Sequence, residues 1–250
     1  MGKLTSRRSL LIGGGVTLLL PRQVWAQAQA EREHQVHLEL PILSEEPAAV
    51  PIKVGVGHPM EPDHFIKSIE VVVEKDPVPY KGRFLFTPAN GQAWVAFQMR
   101  SGAGGTVTAV AECSKHGRFV GTRALRVVEG GCTTAPEKKG RDHLGNPMLR
   151  LPRSIRAGDV VEVRAKVDHN SHTGLSSKDG KFVREAPEFY VKQVLVFLDD
   201  QKVSEFQMTS AVSPNPLIRF PVKVARGGTL KVIFVNSEDL RWEVSQRVQL

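Results

Sequence analysis

Apolar residues along this chain alternate with polar ones in short runs, and no stretch carries the 3.6-residue repeat of a long amphipathic helix. The alternation is cleanest at Val161, Val163, Ala165 and Val167. Gly, Pro, Asn and Asp break the runs, as turns between strands require. Strands are predicted at residues 52–56, 68–74, 83–87, 93–100, 106–113 and 119–128. A tight turn at 114–117 joins the last two into a hairpin. A stretch without periodicity follows, from Glu129 through Gly130, Gly131, Cys132, Thr133 and Thr134 to Pro147. The strand pattern then restarts at 160–167, 190–199, 202–209, 217–223, 229–235 and 241–246. Two β-domains of about 100 residues each result, a size and strand spacing that fit antiparallel sandwiches. Residues 171–188 are a long polar insertion with a turn at Lys178-Asp179-Gly180. Such loops on a β-scaffold often carry contacts.

The first 30 residues stand outside this pattern. Lys3, Arg7 and Arg8 precede an apolar run from Leu10 to Leu20, and Val24-Trp25-Ala26 places small residues where a signal peptidase reads. Ser6-Arg7-Arg8-Ser9-Leu10-Leu11 matches a twin-arginine signal, so export of the folded chain to a bacterial-type periplasm is expected. A Sec signal or an uncleaved anchor is the alternative. The apolar run is too short to predict stable membrane insertion. The chain's formal charge is +8. Lys3, Arg7, Arg8 and Arg22 contribute four of these charges with no acid before Ala26, so the remainder carries only +4. That mild, evenly mixed charge gives no footprint for nucleic acid.

Two cysteines rule out a disulfide-dense scaffold and a four-thiolate zinc site within one chain. Cys132 follows two glycines, which loosen the backbone and clear space around the thiol. Lys138, Lys139 and Arg141 lie close behind and favour a thiolate. No nucleophile–base order surrounds it, and a catalytic nucleophile needs a rigid pocket. A thiol on a mobile arm suits a carrier that visits other proteins' sites. Two plainer readings stay open: a disulfide with Cys113, or a glycine pair that merely ends a strand. Cys113 lies beside the hairpin turn, so an extended returning strand puts Cys132 about 40 Å away, beyond bridging distance unless the arm folds back.

With these residues in view, the chain resembles the SoxYZ carrier of periplasmic sulfur oxidation, with both subunits fused. His58-Pro59-Met60, His64-Phe65-Ile66-Lys67-Ser68-Ile69 and Glu74-Lys75-Asp76-Pro77-Val78-Pro79 look like the opening of SoxY. Thr108-Ala109-Val110-Ala111-Glu112 and Val127-Val128-Glu129-Gly130-Gly131-Cys132 continue it. Leu151-Pro152-Arg153-Ser154-Ile155, Ala157-Gly158-Asp159-Val160-Val161-Glu162-Val163, Ser213-Pro214-Asn215-Pro216 and Gly228-Thr229-Leu230 are similar to SoxZ. Two positions depart from the pattern. Thr133 and Thr134 replace the glycines that trail the SoxY cysteine at its chain end, and His169-Asn170-Ser171-His172-Thr173-Gly174 differs at its centre from the SoxZ motif.

The resemblance implies an all-β chain: a signal at 1–30, a SoxY-like immunoglobulin-like sandwich at 31–132, a linker at 133–147 and a SoxZ-like sandwich at 148–250. It implies that Cys132 carries sulfur intermediates covalently, that Gly130 and Gly131 give its arm freedom, and that the two halves pair within the chain. The protein would be a carrier rather than an enzyme, with no metal or organic cofactor. Its partners would be Sox-type enzymes or a quinoprotein dehydrogenase system. Fused chains of the second type suggest a rival function, an accessory binding protein of the dehydrogenase without sulfur transfer. A purely structural sandwich with a Cys113–Cys132 bridge is a third.

Other chemistry is thin. His169 and His172 with Asp168, or His34 with His37, could ligate a metal, but two ligands at such spacing are a weak signal. Trp94 and Trp242 fall in strand runs and read as core. Gly102-Ala103-Gly104-Gly105 precedes a strand rather than a helix, which argues for a turn instead of a phosphate loop.

Overall fold

The computed structural model describes residues 32–128, 144–179 and 181–250. The first half contributes β1 (Val36–Glu39), β2 (Leu43–Ser44), β3 (Val50–Val56), β4 (Ile66–Val73), β5 (Tyr80–Phe86), β6 (Ala93–Met99), β7 (Gly105–Cys113) and β8 (Gly117–Val127). The second contributes β9 (Gly145–Arg150), β10 (Val160–Asp168), β11 (Leu175–Lys178), β12 (Lys181–Arg184), β13 (Val191–Leu198), β14 (Gln201–Met208), β15 (Leu217–Lys223), β16 (Gly228–Asn236) and β17 (Arg241–Val248). Every strand expected from the alternation is present, shifted by at most three residues at its ends. The short strands β1, β2 and β9 were not legible in the pattern. The polar insertion forms the hairpin β11–β12. Strand β9 begins at Gly145, inside the stretch read as linker; residues 129–143 lie outside the described part.

Each half is an antiparallel, immunoglobulin-like sandwich, and the sheets of the two halves run into one another. One sheet has nine strands in the order β17-β16-β13-β14-β5-β4-β7-β8-β2. The other has six, β1-β3-β6-β15-β10-β9. All pairings are antiparallel except β2–β8, which run parallel over Leu43↔Arg126 and Ser44↔Val127. The crossing between halves is β5–β14 in the large sheet, over Ser204↔Phe86 to Met208↔Gly82. In the small sheet it is β6–β15, at Arg219↔Ala96.

Period-two burial along β3, β7 and β10 turns one face of each strand inward. The inward residues of both halves form one continuous core. Phe84, Phe206 and Phe220 are fully buried in it, and Phe206 meets Phe84 and Phe220 at centroid distances of 5.8 and 5.2 Å. Trp242 packs half-buried against this core. Trp94 does not belong to it: the ring is half-buried, with Lys53 over its face at 5.4 Å. No helix among the described residues is long and apolar enough to cross a membrane.

One ionic contact is buried within this apolar frame. Lys81 Nζ donates to Asp76 Oδ2 at 2.6 Å, and both side chains are fully shielded from solvent. The ammonium also donates to the carbonyls of Val78 and Arg100. The other carboxylate oxygen of Asp76 accepts the amides of Gly102 and Ala103, both at 2.9 Å. Those bonds explain the glycine-rich segment: it is the β6–β7 connection, and a buried carboxylate anchors it. Lys81→Met removes the cation and leaves the carboxylate buried, which should cost about 3–5 kcal/mol. Urea unfolding measures it; an unchanged midpoint would show that water reaches Asp76.

Candidate functional site

Cys132, Gly130 and Gly131, singled out from the sequence, lie outside the described residues. The chain that leads to them is described. Strand β8 runs from the hairpin turn at Gly117 to Val127, about 30 Å at the rise of an antiparallel strand. Its outer residues are mostly exposed. Near its middle, β1 crosses so closely that a Cβ on Gly121 would meet the Val36 carbonyl at 2.6 Å. Cys113 sits at the opposite end of the hairpin, paired to Gly117, buried and unbridged.

At that same end, five side chains from three loops converge. His34 precedes β1, His58 follows β3, His64 precedes β4, Cys113 ends β7, and His116 lies in the β7–β8 turn. Backbone pairing brings them together. Ile66 pairs with Cys113, Ser114 N–H donates to the Phe65 carbonyl at 2.9 Å, and Phe65 N–H donates to Ser114 Oγ at 3.1 Å. A tight turn closed by two bonds between Glu61 and His64 aims the His64 ring back at the hairpin. His34 stacks on Phe119 with ring centroids 4.2 Å apart.

Ring nitrogens face one another across the cluster. His58 Nε2 lies 3.1 Å from His64 Nε2, His64 Nε2 lies 3.2 Å from His116 Nδ1, and His116 Nδ1 lies 3.3 Å from His34 Nε2. Cys113 Sγ is 4.0 Å from His116 Nδ1. One donor atom each from His34, His58, His64 and Cys113 lies within 4.8 Å of the others. His58 Nδ1 donates to the Pro59 carbonyl at 2.5 Å, which leaves Nε2 as the lone-pair nitrogen facing inward. The sulfur accepts the Lys115 amide at 3.5 Å. His34, His58 and Cys113 are buried, His64 is half-buried, and His116 is exposed. Burial lowers the His58 pKa, the Pro59 bond partly opposes this, and the three other imidazoles push it down further.

This grouping differs from both metal pairs suggested by the sequence. His37 lies on the exposed face of β1, away from buried His34. His169 is fully buried in the second half, with Nδ1 2.9 Å from Ser171 Oγ, Nε2 3.4 Å from Asn236 Nδ2, and its face stacked on Phe189 at 4.4 Å. Asp168 instead pairs with Lys166 at 3.0 Å. Among the described residues, only the group of His34, His58, His64 and Cys113 has metal-ligand spacing. The sequence held a signal in His58-x5-His64 and Cys113-x-x-His116. The two pairs are 49 residues apart between His64 and Cys113, and only the β4–β7 pairing joins them.

Residues 22–132 match the family described as sulfur oxidation protein SoxY, and residues 149–247 match sulphur oxidation protein SoxZ. No curated protein matches the chain. Among solved structures, superoxide reductase (neelaredoxin) from Ignicoccus hospitalis is 28% identical, over 41% of this chain and 87% of that one, with a TM-score of 0.37. The superoxide reductase from Nanoarchaeum equitans is 20% identical over 37% and 93%, with a TM-score of 0.33. A β-glycosidase from Bacteroides vulgatus is 13% identical over 86% and 25%, with a TM-score of 0.27. At these TM-scores the overlays are partial and add nothing to the fold.

The environment of His169 has a measurable consequence. Burial holds its pKa at about 4, below the ordinary 6.5, with His172 adding a smaller push in the same direction. The unfolded chain therefore binds a proton that the folded chain refuses between those values. Its contribution to stability is complete above pH 6.5 and is lost as pH falls toward 4. The loss should be about 3 kcal/mol. His169→Gln should flatten this part of the pH–stability curve in urea unfolding. An equally steep curve in the variant would place the titration elsewhere.

Proposed function

The chain belongs to the SoxY and SoxZ families, fused in one polypeptide, and from that premise we propose that it carries sulfur intermediates on Cys132 in the periplasm. The observation that carries this reading is where the SoxY match ends: its last residue is Cys132 itself. Family membership supports a sulfur-oxidation carrier role, with Sox-system proteins as partners and the SoxY and SoxZ parts paired. The chemistry is then done in the partners' sites. This chain supplies a nucleophilic sulfur and holds the cargo between visits.

The local sequence fits that task. Gly130 and Gly131 before the thiol give the backbone conformational freedom. Lys138, Lys139 and Arg141 favour the thiolate that a covalent carrier needs. The paired Arg7-Arg8 and the apolar run behind them support export through the twin-arginine route. Fusion makes the SoxY–SoxZ pairing intramolecular, so it does not weaken on dilution into a large compartment. The SoxY and SoxZ matches favour this carrier over an accessory role at a quinoprotein dehydrogenase.

Intact mass measurement on protein taken from the periplasm, before and after reduction, tests the reading. A reducible mass gain that maps to Cys132 is expected. Cys132→Ser should abolish cargo transfer in a reconstituted sulfur-oxidation system while the free energy of unfolding stays within about 0.5 kcal/mol of the parent. A Cys113–Cys132 bridge, or full transfer by the serine variant, would overturn it.

A further inference from the structure

We propose that the SoxY half holds a transition-metal ion through five protein donors: the imidazoles of His34, His58, His64 and His116 and the thiolate of Cys113. The ion is divalent and of the first transition row, and the donor number favours ferrous iron over zinc. Cys132 is not among its donors, and the proposal does not depend on the carrier reading.

The geometry argues for it first. Imidazole nitrogens bind such ions at about 2.1 Å, so two of them at right angles lie about 3.0 Å apart. The three successive nitrogen–nitrogen distances of 3.1, 3.2 and 3.3 Å fall between that edge and the edge of about 3.4 Å in a tetrahedron, so they fit nitrogens that share one ion. Donors on opposite sides of one ion lie about 4.2–4.4 Å apart. The 4.8 Å limit on the spread of the His34, His58, His64 and Cys113 donors is compatible with a single shared centre.

The surrounding bonds argue for it independently. A ligating histidine characteristically donates its other ring N–H to a carbonyl or carboxylate, which fixes the tautomer and raises the basicity of the ligating nitrogen. His58 does this with Pro59. The Lys115 amide on Cys113 Sγ stabilises charge on the sulfur, as a thiolate ligand requires. The stack of His34 on Phe119 holds a third ring in place.

The donor set selects the ion. It contains no carboxylate, so hard cations such as magnesium and calcium are poorly served. Structural zinc takes four ligands in a tetrahedron. Five donors suit an ion that accepts five or six. A six-coordinate ion keeps one position unfilled by protein. Half-buried His64 and exposed His116 put that side of the cluster within reach of solvent.

The test uses the full-length mature chain, stripped with a chelator and loaded anaerobically with ferrous iron, zinc or cobalt(II). One iron per chain should survive desalting. His116→Ala and His64→Ala change surface-accessible side chains and should keep the unfolding midpoint of the metal-free chain, yet lower retained iron at least tenfold. The cobalt(II) form should show a thiolate-to-metal charge-transfer band that Cys113→Ser loses and Cys132→Ser keeps. Substoichiometric iron, a band that follows Cys132, or zinc binding that is indifferent to His116 would each overturn the assignment.

Discussion

The β5–β14 ladder is the contact on which the rest of the molecule depends. It joins two sandwiches into one nine-stranded sheet and makes their cores continuous. It needs Gly82, since a Cβ there would meet the Gln207 carbonyl at 2.6 Å. The corner after β5 reinforces it. Thr87 Oγ1 donates to the Val203 carbonyl, and buried Asn90 donates to Ser204 Oγ and the Pro221 carbonyl. Arg100 adds a further tie, donating to the Ser171 carbonyl at 2.8 Å from its side chain and to the Ala211 carbonyl at 2.6 Å from its backbone. A side-by-side sheet junction of this kind leaves neither half a free edge at the seam.

Rigid strands position loops, and the His–Cys cluster is a product of that rule. Its residues are supplied by the ends of β1, β3, β4 and β7 and by the turn into β8. None of these loops is long, and the backbone bonds between Phe65 and Ser114 lock two of them together. The side chains are therefore held by the same pairing that builds the core. The buried Lys81–Asp76 pair does similar work for the glycine-rich β6–β7 connection.

Much of the fold was legible because alternation reports directly on which face of a strand is buried. The strands from β3 to β8 and the long strands of the second half follow it closely. Strands β1 and β2 are short and flanked by Pro41 and Pro47, so no run was long enough to read. Strand β9 begins with Gly145-Asn146-Pro147, residues that usually mark a loop. The continuity of the two sheets could not be read at all, since pairing between β5 and β14 joins residues about 120 apart in sequence. The cluster was hidden for the same reason. Its members were individually visible, His34 beside His37 and His58 in a family motif, but their convergence is a property of register. Trp94 misled because a strand has two faces, and its ring lies on the outer one.

The β7–β8 hairpin also divides the chain's sulfur chemistry. Cys113 sits at the turn, while the other end of β8 stays bonded to β2 as far as the Val128 amide, which donates to the Ser44 carbonyl. A further five residues span at most about 18 Å, short of the roughly 30 Å length of β8. Cys113 is thus set apart, by the length of β8, from the chain that follows that strand. Buried in the sandwich, its thiol is also shielded from oxidants in bulk solution.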